Sequence, residues 1–313
     1  MKTTIRSLSA FAFSLAIIFT ACKKESSTPQ QTDVATEVQG HADDQNQISG
    51  GLDDVANDAD VALESSANFS GRFQQGADVA SVCGATTVVD TASNPHTITI
   101  TYNGNNCQGT AYRTGTVIIS MPKDSKWKNA GATITVSIQN LKIKRLSDNK
   151  SVTINGTHTI TNVNGGLLRD LPTAQGGIMH TITSNNMSIT FDDGSQRSWQ
   201  VARKREFNYS GGIVMSVRGI GTVGTNTSVA EWGTNRFGHA FTTSITQPIV
   251  IRQDCNFRIT AGEIKHEGFA TATITFGLNA SGQPTTCPGT GNYYYKLTWT
   301  GPNGGSVSAI LPY

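Results

Sequence analysis

The feature that most limits what this chain can fold into is a two-residue period running through most of it. Ile98, Ile100 and Tyr102 alternate with Thr97, Thr99 and Thr101, and Ile134, Val136 and Ile138 with Thr133, Thr135 and Ser137. Val152, Ile154 and Ile160 keep the same phase against Thr153, Thr157, Thr159 and Thr161, as do Ala272, Ile274 and Phe276 against Thr271, Thr273 and Thr275. Successive side chains of a strand point to opposite faces, so an apolar rank beside a threonine rank describes a sheet packed on one side and wetted on the other. The pairs Asn103-Gly104, Asp193-Gly194 and Asn303-Gly304 supply the positive φ of tight hairpins. The expected fold is all-β, a large antiparallel twisted sheet or β-sandwich built of hairpins, with a short N-terminal helical segment. Gly115, Gly156 and Gly212 fall at strand starts or bends without fixed spacing, which argues against a solenoid.

Charge divides the chain where the period does. From Lys23 to Ser66 there are two basic and ten acidic residues, a net charge of −8; residues 67–313 carry twenty Lys or Arg and twelve Asp or Glu, a net charge of +8. Such an asymmetry speaks to partners and solubility rather than to fold. Ser26 to Gly51 is rich in Ser, Thr, Gln, Asp and Gly and holds too few large apolar residues to order itself. Residues 22–51 are therefore expected to be a flexible acidic tether. Leu52, Val55, Ala56, Ala59 and Leu63 fall at three- and four-residue steps, which predicts a short helical segment over 52–67, and 68–313 is expected to be the all-β domain.

The N-terminus reads as an address. Lys2 and Arg6 precede an apolar run from Leu8 to Phe19, the pattern of a secretory signal and too short to span a bilayer. Phe19-Thr20-Ala21-Cys22 resembles the lipobox of bacterial lipoproteins, departing from it in having Phe19 where Leu is preferred. That resemblance implies a signal peptide over residues 1–21 and acylation of Cys22, a palmitate-type modification holding the chain to membrane lipid. Residue 23 is Lys rather than a retaining Asp, so the resemblance favours the outer membrane, on its periplasmic or its outer side. With the acidic spacer, the paired cysteines and the Gly-Thr strand starts, the chain resembles β-rich lipoproteins of Bacteroidota, a likeness that brings no catalytic residues with it.

Cys83, Cys107, Cys255 and Cys287 form an even set in an exported chain, and sequential pairing is the simplest of the three connectivities. No C-x-x-C zinc spacing accompanies them. His96, His158, His180, His239 and His266 all keep phase with apolar residues, so each is explained as a half-buried strand residue, and convergence on a catalytic or metal site is the sharper alternative. Glu206, Glu231, Glu263 and Glu267 are scattered, and no nucleophile elbow, phosphate loop or dinucleotide fingerprint occurs. Lys142, Lys144 and Arg145, with Arg203-Lys204-Arg205, read as a solvated sheet face answering the acidic spacer, and export argues against nucleic acid as a partner. Trp127, Trp199, Trp232 and Trp299 are candidates for a sugar-stacking platform. The expectation is a non-enzymatic envelope protein with no cofactor and no metal, partnered by an envelope protein or a glycan; the alternatives are a glycan-binding module and an envelope hydrolase.

Overall fold

The structure, a computed structural model, describes residues 29–71, 82–174, 176–255, 257–285, 293–300 and 305–312. Cys22, Cys287 and Asn303-Gly304 lie outside the described residues. Two helices come first, α1 (Pro29–Ser65) and the single turn α2 (Ala67–Ser70). The strands follow as β1 (Ala85–Asp90), β2 (His96–Asn105), β3 (Ala111–Met121), β4 (Ala132–Arg145), β5 (Ser151–Asn162), β6 (Ile178–Thr190) and β7 (Gln196–Tyr209). After these come β8 (Ile213–Gly219), β9 (Gly221–Val223), β10 (Asn226–Thr234), β11 (Ala240–Arg252), β12 (Arg258–Glu267), β13 (Thr271–Leu278), β14 (Tyr294–Thr300) and β15 (Ser306–Pro312).

All fifteen strands join one sheet, and every pairing is antiparallel. The path runs in chain order from β1 to β7, passes to β10, and continues in order to β15; β8 pairs with both β7 and β11, and β9 with β10. This is the single-sheet form of the expected fold rather than a sandwich of two sheets. The period-two pattern sets its register: Thr97, Ser120, Thr135, Thr159 and Thr183 stand opposite one another across five strands, while Ile98, Ile119, Val136 and His158 line up on the buried side. Asn103-Gly104 lies inside β2 rather than at a turn, the chain reversing over residues 106–110 instead. Asp193-Gly194 does turn β6 into β7, with Gly194 at φ 82°.

A line of bulges crosses the middle of the sheet. The register slips between Thr114 and Thr116, between Ile138 and Leu141, and between Asn155 and Thr157, at Gly115, Asn140 and Gly156 with φ of 115°, 50° and 134°. A Cβ on Gly115 would meet the Asn140 carbonyl oxygen at 2.3 Å, so the close approach of these two bulges requires glycine. Aligned bulges bend a sheet across all its strands at once. One face of the sheet packs on α1, which touches side chains from Tyr102 of β2 to Ala272 of β13.

The helix differs most from expectation. Instead of a tether to residue 51 and a short helical segment beyond it, α1 is continuous over 37 residues, about 55 Å at 1.5 Å per residue. Its seam of Ile48, Leu52, Val55, Ala59 and Ala62 is buried in the same core cluster as Ile98, Ile119, Val136, Ile154 and Trp199. Only a narrow stripe of its central turns, Asn46, Gly50, Asn57 and Val61, is exposed. A helix so poor in large apolar residues is not stable alone in water; packing within the sheet holds it.

Candidate functional site

The apolar seam of α1 is flanked on both sides by polar residues that meet basic or donor side chains of the sheet. On one flank Asp58 lies 2.8 Å from Arg113 Nη1 and accepts the Tyr102 hydroxyl at 2.9 Å, with Asp54 at 3.9 Å from the same guanidinium. Arg113 also donates to the Cys83 carbonyl and stacks over the Tyr102 ring. On the other flank, four residues succeed one another at helical spacing. Asp53 pairs with Arg203 at 3.1 Å, Asn57 accepts from Arg205, Asp60 lies 3.6 Å from His180 Nδ1, and Glu64 accepts the backbone N–H groups of Leu168 and Arg169. Ser49 donates to Glu231, which also holds Arg203 and accepts the Trp199 indole N–H. Toward the N-terminal end of α1, Asp43 pairs with Arg145 and Lys150, Asp44 with Arg236, and Glu37 with His239.

The acidic segment and the basic body are thus two halves of one interface. Arg203 and Arg205 do not form a solvated face: they are buried beneath the helix, while Lys204 between them points outward to Glu206. Burial raises the carboxyl groups of Asp44, Asp54, Asp58 and Glu64 above the usual range, partly offset by the guanidiniums or backbone N–H groups that face them. Asp43, in a more open position, is held low by Arg145.

Four of the five singled-out histidines, His96, His158, His180 and His266, are buried on the helix-facing side, as their phase predicts; His239 is half exposed at the rim. They do not converge on one point. His266 meets His41 of α1 with ring centroids 4.2 Å apart, beside Phe241 and Trp199. His180 packs against Trp127 and Phe207, and His96 against Phe69. Burial lowers His158 to about 4, with the charge of Arg203 adding to it, and lowers His266 to about 4. Among the described residues no group of three or more His, Cys, Asp or Glu side chains is placed to hold a metal ion.

The four tryptophans do not share one exposed platform. Trp127 and Trp199 are fully buried under α1, because their strand or turn positions face the helix; Trp232 is half-buried, and Trp299 packs with Leu297 near Val38 of α1. Cys83 and Cys107 are joined, with Cα atoms 5.2 Å apart, tying the start of β1 to the β2–β3 turn. Cys255 is also disulfide-bonded. Arg113 and Arg236 were not singled out by sequence; the signal that points to them is the opposed charge of the two segments. Among the described residues no helix is long and apolar enough to cross a membrane. No protein-family model matches this chain, and neither does a curated protein or a solved structure.

Proposed function

We propose that this chain is a lipoprotein anchored to the outer membrane through acylated Cys22, whose β domain has a non-enzymatic binding or structural role in the cell envelope. The observation that carries the reading is that the helix-facing side of the sheet is filled by the chain's own α1. The His–carboxylate contacts that a hydrolase would require, His180 with Asp60 and His239 with Glu37, join helix to sheet. The opposite face presents ranks of threonine and serine hydroxyls. Burial of Trp127 and Trp199 removes the main support for glycan stacking.

The anchor is supported by sequence alone, the Phe19-Thr20-Ala21-Cys22 pattern standing seven residues ahead of α1. Two or three acyl chains on one cysteine hold a protein stably, at about 0.8 kcal/mol per buried methylene. Cys22→Ala is expected to move the protein from the membrane to the soluble fraction and to abolish incorporation of a palmitate analogue. Continued membrane association of the variant would reject the anchor.

A further inference from the structure

Under the middle of α1 the sheet carries more hydrogen-bond donors than the helix satisfies. His158 and His180 are each 1% exposed, and neither ring nitrogen of either has a hydrogen-bond partner; the same holds for Nε of Arg203 and for the indole Nε1 of fully buried Trp127. These groups lie on the same face of the sheet, His158, His180 and Arg203 on the successive strands β5, β6 and β7. His180 stands directly opposite Arg205 on β6 and β7, its ring centroid is 5.1 Å from that of Trp127, and the charge of Arg203 reaches His158. Around them the lining is apolar, with Ile160, Ile182 and Val201 in one cluster. Unmatched donors in an apolar interior are costly, and each calls for a physical reason.

A helix cannot match them. Its backbone groups bond to one another, and its side chains reach the sheet only at every third or fourth residue. Asp53 and Asn57 already serve Arg203 and Arg205, and Asp60 stands 3.6 Å from His180 Nδ1, just beyond hydrogen-bonding distance. A thinner occupant would lie along the apolar lining and bring acceptor oxygens to the donors. We infer that the sheet face covered by α1 is a binding site for an anionic amphiphile, an acyl chain bearing a phosphate or carboxylate head, and that α1 is a built-in occupant which this ligand displaces. The head meets Arg203, Arg205 and His180, and the chain lies on the isoleucines in the direction of His158. Displacement is feasible because the apolar seam of α1 is narrow and alanine-rich, so the acyl chain replaces its contacts, and because the attraction in its buried ion pairs is mostly offset by the desolvation of both partners. Once released, α1 returns to coil. The inference does not depend on the Cys22 anchor, so either can fail without the other.

The test uses the full chain carrying Cys22→Ala, so that no acyl group of its own competes, titrated with dodecyl phosphate below its micellar concentration. Fluorescence of Trp127 and Trp199 and equilibrium dialysis report binding. Saturable one-to-one binding is expected, at least tenfold tighter than for dodecyl maltoside or dodecyltrimethylammonium. Two substitutions away from the donor cluster should move affinity in opposite directions. Asp58→Asn loosens α1 at Arg113 and should tighten binding about tenfold, because a larger share of molecules then has the site open. Gly50→Ala should weaken it about fivefold: a Cβ there meets nothing within 4 Å, and the added helix propensity is about 1 kcal/mol in favour of the docked state. Should Asp58→Asn fail to fold, Gly50→Ala still carries the test. Equal affinity for the three head groups, no binding, or affinity unmoved by Gly50→Ala would overturn the inference. So would tight binding of a synthetic helix of sequence 29–65 in place of dodecyl phosphate, which would assign the site to an acidic helical partner.

Discussion

His158 shows most directly what burial does to a single group in this fold. It is 1% exposed on β5, and the Arg203 guanidinium, itself held by Asp53 and Glu231, adds its charge to the desolvation that lowers the ring to about 4. In the unfolded chain the ring titrates near 6.5, so the unfolded state takes up the proton first as pH falls. The contribution of His158 to stability is therefore intact above about 6.5 and is lost as pH drops toward 4, up to about 3 kcal/mol in total. Asp44, Asp54, Asp58 and Glu64, whose carboxyl groups burial raises, act in the opposite sense, since the folded state keeps their protons to higher pH. The difference between the parent and His158→Gln isolates the histidine. Urea unfolding from pH 7 to 4 should show the parent losing stability relative to the variant across that window; parallel curves would mean that the ring titrates normally.

At the scale of the element, α1 carries two adjacent glycines for different reasons. A Cβ on Gly51 would lie 2.2 Å from Ile143 Cδ1, with Ile154 close behind, so this turn of the helix sits directly on β4; a Cβ on Gly50 would point into open space. The two substitutions to alanine bring the same propensity gain, about 1 kcal/mol. Gly50→Ala should raise the unfolding free energy by about that amount, read as a higher denaturant midpoint. Gly51→Ala should not, because displacing a core isoleucine typically costs about 1–3 kcal/mol. Adding Ile143→Val removes the obstructing methyl and should recover part of the gain; identical midpoints for the two single variants would show that Ile143 yields freely. The same helix marks the limit of what the sequence made legible. Leu52, Val55, Ala59 and Leu63 announce a helix because their spacing is local, whereas residues 29–51 announce nothing. Their partners Arg145, Lys150, Glu231 and Arg236 stand roughly a hundred to two hundred positions away, and no periodicity reports a contact of that range. The strands were legible because the threonine and isoleucine ranks repeat within each one. Trp127 and Trp199 were not, since which aromatic is covered depends on where α1 lies.

For the whole molecule, charge and topology together define two units of unequal strength. The sheet is joined strand to neighbouring strand from β1 to β7 and again from β10 to β15 by backbone hydrogen bonds, with buried isoleucine or valine ranks reinforcing β2 to β6. α1 contributes no strand to this ladder and is held by a narrow apolar seam and by ion pairs. Breaking one partner of a buried pair leaves the other uncompensated, typically at a cost of about 3–5 kcal/mol, although the intact pair adds little net stability. The small net charge of the sequence, +2 overall, hides this arrangement, because the acidic and basic segments neutralise each other across the interface rather than through solvent. Release of α1 should therefore precede loss of the sheet, a partial opening below the global unfolding free energy. Hydrogen exchange followed by mass spectrometry tests this. Peptides from residues 36–65 should exchange through a lower-energy opening than peptides from β4 to β7, and Asp58→Asn should accelerate the helix peptides while leaving β6 and β7 protected. If helix and strand peptides exchange together in the parent and slow or quicken together in the variant, α1 is an inseparable part of the core, and the sheet has no independent state in which the face beneath it is open.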